Sequence, residues 1–358
     1  MFTNYSNELI DFVKNKKHNL SYNKTLKELY NFLETKYDNI YFKIQELNTK
    51  KTKKIDSTFI SQKLKNDINN LTNHKTYLLQ HNKSKIIINI HYSDENIDEF
   101  INIISKIISF VFNICNHNVQ DCVINYYLTD YIKVIDSSKN YDFEELNNHE
   151  INSGSTNMNK NEINIWRKEE VIKVTLHECI HLLDYDSFGY DKLLENFYKK
   201  KYKITSININ IFEAYTEIWA ELLNIFFIVK HNKLSYKRFL EYISYEKYFS
   251  YFQMVKIFYL KSVNKKVNDL DKNTNVLPYF IIKCELFNNL IEFLQLCKKS
   301  NENFIKIKKI SEIKKFLYNL NTCKSDNRLF ANVNKKNYKY LTLRMSLFDY
   351  DLFKHPLE

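Results

Sequence analysis

Two imidazoles four residues apart constrain this chain more than any other feature of it. In His177-Glu178-Cys179-Ile180-His181, a helix would place both rings on one face, with Glu178 beside them. Helix is the favoured local structure, since apolar residues recur at helical spacing and no Gly or Pro occurs between Glu169 and Gly189. Two histidines and a glutamate in this pattern bind zinc and supply a general base. The sequence therefore predicts a zinc helix, with Glu169 and Glu170 in its first turn.

A second helix-compatible segment carries three glutamates on one stripe. Glu213, Glu217 and Glu221 follow one another at intervals of four residues. A catalytic zinc commonly takes three protein ligands and leaves a position for water. One of these carboxylates could bind the metal while the next one holds a ligand imidazole. Apolar residues surround the stripe, which indicates a buried helix whose carboxylates need partners.

Other interpretations of these residues stay open. A glutamate stripe is commonly a solvated helix face, and a histidine pair is commonly a surface feature. Asp184 and Asp186 follow His181 closely and could supply the third ligand in an aspartate-type zinc site. We favour zinc bound by two histidines and a glutamate, because the two segments provide that complete set of groups.

The two segments together resemble the gluzincin class of zincin metallopeptidases. The likeness is greatest to the anthrax lethal factor and Pro-Pro endopeptidase kind, in which H-E-x-x-H is followed by an E-x-x-x-E helix. It implies His177, His181 and Glu213 as zinc ligands and Glu178 as the base. It also implies Glu217 as a carboxylate that supports a ligand histidine, and Asp184, three residues after His181, fits a similar supporting role.

One position departs from this family pattern. Those enzymes tend to have an oxyanion-stabilising tyrosine seven residues before the ligand glutamate, where this chain has Ser206. Two other residues are candidates for binding an oxyanion or a substrate carboxylate. Tyr279 follows Pro278 at a predicted helix start, and Arg344 is an arginine in a chain that strongly prefers lysine. Aromatic packing and a structural ion pair are the competing interpretations of these two residues.

The predicted fold is α+β and mainly helical, and the resemblance implies a two-lobed zincin with a small mixed sheet packed on the zinc helix. We expect three regions: 1–75, an N-terminal helical region; 76–230, a catalytic core with the sheet and both site helices; and 231–358, a C-terminal helical lobe. A turn at Ser153–Thr156 precedes Asn161–Trp166, an alternating segment that the resemblance implies is the edge strand that pairs with an extended peptide. An ordinary interior strand is the alternative for this segment. Further predicted elements are strands Lys85–Tyr92 and Val123–Ile135, a loop at Lys50–Lys54, and helices Asn96–Cys115, Leu234–Tyr259, Pro278–Leu296 and Ile305–Leu320.

Charge and composition bear on partners and location. The net charge is +11 and the pI about 9.0, but only four residues are arginine and no nucleic-acid-binding motif is present. We therefore expect a peptide or protein partner rather than nucleic acid. With only two glycines and two prolines, the composition also resembles that of uncharacterised giant-virus proteins. The six cysteines form no C-x-x-C pair, and the polar start does not resemble a signal peptide.

The longest apolar segment, Phe100–Cys115, is interrupted by Lys106 and falls short of the roughly 18 residues of a membrane span. We accordingly predict an intracellular, cytoplasmic protein, in the host cytoplasm or the virion if the source is a virus. The predicted activity is that of a zinc-dependent metallopeptidase, which cleaves peptide bonds with a zinc-activated water and Glu178 as general base. Two alternatives are a catalytically inactive binding protein with a zincin fold and a basic nucleic-acid-associated factor.

Overall fold

The structure is a computed structural model of the chain. It describes residues 1–16, 20, 22–49, 55, 60–115, 121–135, 148–186, 191–204, 209–263, 275–322, 329 and 337–353. Within these ranges the chain is mixed α/β with more helix than strand, which agrees with the predicted class at that level. The helices are α1 (Asn4–Val13), α2 (Lys24–Asp38), α3 (Gln62–Asn69), α4 (Asp98–Ile114), α5 (Asn148–Ile151), α6 (Val171–Leu182), α7 (Lys192–Tyr202), α8 (Glu213–His231), α9 (Tyr236–Val263), α10 (Lys283–Asn288), α11 (Leu290–Ser300), α12 (Ile310–Tyr318) and α13 (Tyr338–Leu341), with a π-helical segment at Leu277–Ile282.

A mixed sheet lies at the centre of the described part of the chain, with strand order β1-β2-β3-β4-β6-β5. Strands β3, β4 and β6 run parallel, while β1, β2 and β5 join by antiparallel pairing. The parallel pair β3 and β4 is connected through α4, because parallel neighbours need a crossover. The strands are β1 (Lys43–Leu47), β2 (Asn73–His81), β3 (Ser84–Tyr92), β4 (Cys122–Tyr127), β5 (Gly154–Asn157) and β6 (Glu162–Ile165), and a small hairpin consists of β7 (Asn301–Glu302) and β8 (Lys306–Ile307).

The two faces of the central sheet differ in chemistry. On the face toward α4 and α6, alternate residues such as Ile88 and Ile163 are fully buried in the main apolar core. The opposite face carries a row of hydrogen-bonded side chains across neighbouring strands. Thr76 donates to Asn89, which donates to Asn125, which donates to Asn164, over distances of 2.8–2.9 Å. These bonds satisfy polar groups that are otherwise buried, and they favour one register of the strands.

The sheet corrects three expectations about the strands. The N-terminal region is not purely helical, since β1 and the start of β2 lie within residues 1–75. The strand expected over Val123–Ile135 ends at Tyr127, and beyond it Val134 makes only an isolated bridge to Thr342. The edge strand is β5, formed by residues expected to be a turn, whereas β6 lies between β4 and β5. The predicted Lys50–Lys54 loop lies outside the described residues.

The helices pack so that α8 is buried on nearly all sides. α6 lies between the sheet and α8, and α9, α10 and the π-helical segment cover the other sides of α8. One continuous apolar core includes Leu9, Phe110 and Phe287, which come from all three predicted regions. None of the described helices combines the length and apolar character needed to cross a bilayer.

Candidate metal centre

A buried, charged residue, Glu170, directly precedes α6, the helix that carries both histidines. Glu170 has left-handed backbone geometry with φ 59°, and α6 starts at the next residue, so Glu169 and Glu170 precede the first turn instead of forming it. The Glu170 carboxylate accepts hydrogen bonds from the ammonium of Lys133 and from the backbone N–H of Ser346. Burial raises the pKa of Glu170, but the charges of Lys133 and Lys173 outweigh burial and lower it. The start of α6 is thereby fixed to two distant segments of the chain.

His177, His181 and Glu213 converge on one point between α6 and α8. The two Nε2 atoms lie 3.1 Å apart, and Oε2 of Glu213 lies 3.3 Å from Nε2 of His177 and 3.4 Å from Nε2 of His181. Zinc with tetrahedral bonds of about 2.0–2.1 Å holds neighbouring ligand atoms about 3.3 Å apart. The three atoms therefore have the separations of three zinc ligands. Within the described ranges, this trio is the group identified as able to hold a metal ion.

Each of the two histidines has a carboxylate at its Nδ1 atom, on the side of the ring away from the point of convergence. Nδ1 of His177 lies 2.8 Å from Oε2 of Glu217, and Nδ1 of His181 lies 2.6 Å from Oδ2 of Asp186. A carboxylate at Nδ1 fixes the tautomer that leaves the Nε2 lone pair free for a metal. Since Asp186 faces Nδ1 of His181, it lies on the opposite side of the ring from Glu213. This placement fits a supporting residue and not the third ligand of an aspartate-type site.

Asp184, which we expected to support a ligand histidine, has a different position. Its side chain is exposed and lies at the rim of the pocket in front of the histidines. The reason is local: α6 ends at Leu182, and Asp184 takes left-handed geometry with φ 54°. The reversal brings Asp186 back toward His181, and Thr216 on α8 donates a hydrogen bond to the same Asp186 oxygen.

The charges around the histidines favour a cation between the rings. Burial lowers the pKa of His181, but the Asp186 and Glu213 carboxylates outweigh burial and raise this pKa well above its ordinary value of 6.5. Burial likewise lowers the pKa of His177, and its hydrogen bonds to Glu213 and Glu217 raise it overall. Burial raises the pKa of Glu213, while the two imidazoles lower it below its ordinary range. These shifts indicate that the carboxylates stabilise positive charge at this point, and a divalent cation would supply such charge.

Glu178 lies next to the ligand histidines and against the edge strand β5. Its Oε2 accepts a hydrogen bond of 2.7 Å from the hydroxyl of Thr156, which also lies 3.1 Å from the Glu178 carbonyl oxygen. Gly154, on the same strand, leaves room for the carboxylate. Two β5 residues therefore determine where the Glu178 carboxylate lies, and the sequence identified neither of them as part of the site.

The site opens into a pocket of about 390 Å³, lined by residues from α6, α8, β5 and the π-helical segment. Tyr279, one of the candidates for oxyanion binding, lies in this pocket with its hydroxyl 3.3 Å from Oε2 of Glu213. Burial and the nearby Glu213, Glu217 and Glu178 charges raise the pKa of Tyr279 well above its ordinary value. The phenol therefore keeps its proton at neutral pH and remains a hydrogen-bond donor toward Glu213.

Arg344, the other candidate, does not line this pocket. It is fully buried, and its guanidinium donates to the hydroxyl of Ser6 and the carbonyl oxygen of Leu347. These contacts join the N-terminal helix to the C-terminal segment, which agrees with the structural interpretation of Arg344 and not with a position in this pocket. Ser206, at the position of the family tyrosine, lies outside the described residues.

The third glutamate of the stripe completes a buried set of charges behind the metal centre. Glu221 accepts a hydrogen bond from the ammonium of Lys283, and Lys173 on α6 donates to Oε1 of Glu217 at 2.7 Å. All four side chains are buried. Sequence reasoning missed Lys173, although its position four residues before His177 places it on the same helix face.

Comparison with known proteins gives one informative relative. An uncharacterised protein of Acanthamoeba polyphaga mimivirus is 28% identical over 221 residues, which cover 52% of this chain. The match covers 56% of the viral protein, so the chain spans about half the length of that relative. No protein-family profile and no solved structure matches the chain.

Proposed function

We propose that this chain is a zinc-dependent metallopeptidase of the gluzincin type, with a two-lobed zincin fold. The observation that carries the proposal is the convergence of His177, His181 and Glu213 beside Glu178, at the floor of an open pocket. Ligand-atom separations of 3.1–3.4 Å fit zinc, and the donor set of two imidazoles and one carboxylate is typical of catalytic zinc.

In this proposal His177, His181 and Glu213 hold the ion, while Glu217 and Asp186 orient the imidazoles. When bound, zinc supplies Lewis acidity that polarises the scissile carbonyl and makes water more acidic. Glu178 takes the proton of the attacking water on a carboxylate oxygen and passes it to the leaving amine. The Tyr279 hydroxyl donates a hydrogen bond to the negative charge that develops on the carbonyl oxygen.

Strand β5 supports a peptide as the substrate. It is the edge of the sheet, it packs against α6, and its residues Gly154 to Thr156 line the pocket. An edge strand can pair with an extended chain through its backbone groups. A peptide added beside β5 would run past Glu178 and the metal ligands, which is the placement that internal cleavage requires.

We also propose a reducing, intracellular setting for this activity. The described cysteines are buried, and four of them are free thiols: Cys115, Cys122, Cys179 and Cys297. Free thiols in a folded core fit the cytoplasm better than an oxidising compartment.

The deciding experiment is metal content by elemental mass spectrometry on protein purified without added metal. We expect about one zinc per chain in the wild type and a large loss in His181→Ala, because the variant lacks one of the three protein ligands of the proposed catalytic zinc. A peptide-library digest then compares the wild type with Glu178→Gln, which should keep zinc and lose cleavage. Well-folded wild type without zinc would contradict the metal site. If the wild type and Glu178→Gln both bind zinc and neither cleaves peptides, the result would favour the alternative of a catalytically inactive binding protein.

A further inference from the structure

Three buried side chains behind the metal centre form a continuous chain of contacts. Lys173 donates to Oε1 of Glu217 at 2.7 Å, and Oε2 of the same carboxylate lies 2.8 Å from Nδ1 of His177. Both oxygens of Glu217 are thus engaged, one by a lysine and one by a ligand histidine. The Lys173 and Glu217 side chains are 2% and 0% exposed, so this ion pair is shielded from bulk solvent.

The geometry of the two helices explains why a lysine occupies this position. Lys173 and His177 are four residues apart on α6, and Glu213 and Glu217 are four residues apart on α8, so each pair lies along one helix face. The helices therefore meet in two adjacent layers: His177 with Glu213 in front, and Lys173 with Glu217 behind. The rear layer is joined to the ring of His177 by the contact between Nδ1 of His177 and Oε2 of Glu217.

We propose that Lys173 is a positioning residue of the metal site, which acts on the zinc ligand His177 by holding the Glu217 carboxylate in place. This inference rests on the proposed zinc site. With Lys173 on Oε1, the carboxylate can present only Oε2 to His177, and it fixes the ring with Nε2 directed at the metal. Without Lys173, a buried carboxylate oxygen would lack its cation, and Glu217 would be drawn toward other donors.

Lys283 is the nearest such donor, with its ammonium 4.0 Å from Oε1 of Glu217. It is already engaged, since it donates to Glu221 and to the carbonyl oxygen of Met345. We therefore expect Lys283 to compensate only in part, and loss of Lys173 to weaken the metal site without abolishing it.

The test compares two buried lysines with the same substitution. Lys173→Met removes the ammonium behind His177, whereas Lys133→Met removes an ammonium that lies 2.8 Å from Glu170 at the start of the same helix. The zinc dissociation constant is measured by chelator competition, and the ligand geometry by the visible spectrum of the cobalt-substituted protein. We expect Lys173→Met to raise the zinc dissociation constant about 10- to 100-fold and to change the cobalt spectrum. Lys133→Met should change both far less than Lys173→Met does, because the Lys133 ammonium pairs with Glu170 and not with Glu217.

A double variant covers the case in which Lys173→Met does not fold. Lys173→Met with Glu217→Gln removes both buried charges, and it should bind zinc as tightly as Glu217→Gln alone, because Lys173 acts only through Glu217. Additive losses in the double variant would overturn the positioning role, as would wild-type zinc binding and spectrum in a folded Lys173→Met protein. Wild type that binds no zinc would overturn the proposed function itself, together with this inference.

Discussion

A Cβ atom at Gly154 would lie 2.7 Å from Oε1 of Glu178, closer than the two atoms can approach. The same Cβ would lie 2.9 Å from Cγ of Glu178 and 2.9 Å from a methyl group of Val174. The chain contains only two glycines, and one of them occurs where the edge strand passes the proposed base. The absence of a side chain at this position thus determines where the Glu178 carboxylate can lie.

Gly154→Ala should therefore displace Glu178 and impair cleavage while zinc stays bound. A shift of about 1 Å in a catalytic group can lower turnover about 100-fold. The matched control is Ser153→Ala, since the buried Ser153 hydroxyl has no hydrogen-bond partner within the described residues. Turnover and zinc content are measured for both variants. Normal turnover in Gly154→Ala would show that Glu178 does not need this position.

Matched substitutions of two nearby aspartates test which of them orients the His181 ring. Asp186→Asn weakens the acceptor at Nδ1 of His181, so we expect zinc affinity to fall about 10- to 100-fold. Asp184→Asn changes an exposed carboxylate at the pocket rim and should leave zinc affinity within about twofold of wild type. Chelator competition measures both values. The opposite order would restore Asp184 to the supporting role that the sequence suggested.

The raised pKa of His181 predicts how pH acts on the metal-free protein. Because the pKa in the folded state lies above the ordinary 6.5, the protonated ring stabilises the fold. This contribution is complete below about pH 6.5 and is lost as pH rises through the folded pKa. Denaturant unfolding in chelator should thus show a loss of stability as pH rises above about 7. His181→Gln should show a smaller loss, and identical pH profiles would contradict the prediction.

Zinc binding should depend on pH in the opposite direction. The metal needs the neutral imidazole, so zinc must displace the proton that His181 holds in the metal-free protein. The apparent affinity should rise about tenfold per pH unit for each proton displaced, up to the raised pKa of His181. Isothermal titration in buffers of different ionisation enthalpy measures the protons released. Release of no protons near pH 7 would show that the ring is already neutral.

The parts of the site that were predictable depend on short-range periodicity. The i, i+4 spacing placed His177 and His181 on one face of α6, and the same spacing placed Glu213 and Glu217 on α8. Residue spacing alone does not predict that these two helix faces contact each other. The metal-binding motif suggested this contact only indirectly, because one zinc site would need ligands from both helices. The predicted helices Asn96–Cys115 and Leu234–Tyr259 agree with α4 and α9 to within four residues at each end.

The parts that the sequence did not reveal depend on backbone reversals and on tertiary pairing. The backbone reverses direction at Asp184, which has left-handed geometry. As a result Asp186, and not Asp184, lies beside His181, and residue spacing alone does not predict this reversal. The segment Gly154–Thr156 has turn-forming residues, but antiparallel pairing with β6 makes it a strand. Lys173 is one of many lysines, so its burial against Glu217 had no distinct signal in a chain with 53 basic residues.

Tyr279 can be assigned to one of two roles by separating zinc affinity from turnover. Its hydroxyl lies 3.3 Å from Oε2 of Glu213, a position from which it could either orient that ligand or stabilise an oxyanion. If it stabilises the oxyanion, Tyr279→Phe should lower kcat about 100-fold or more at saturating zinc and leave zinc affinity nearly unchanged. If it only orients Glu213, zinc affinity should fall while kcat at saturating zinc stays near wild type. We expect the first result, because Tyr279 lines the pocket and its raised pKa leaves the phenol protonated and able to donate a hydrogen bond to an oxyanion there.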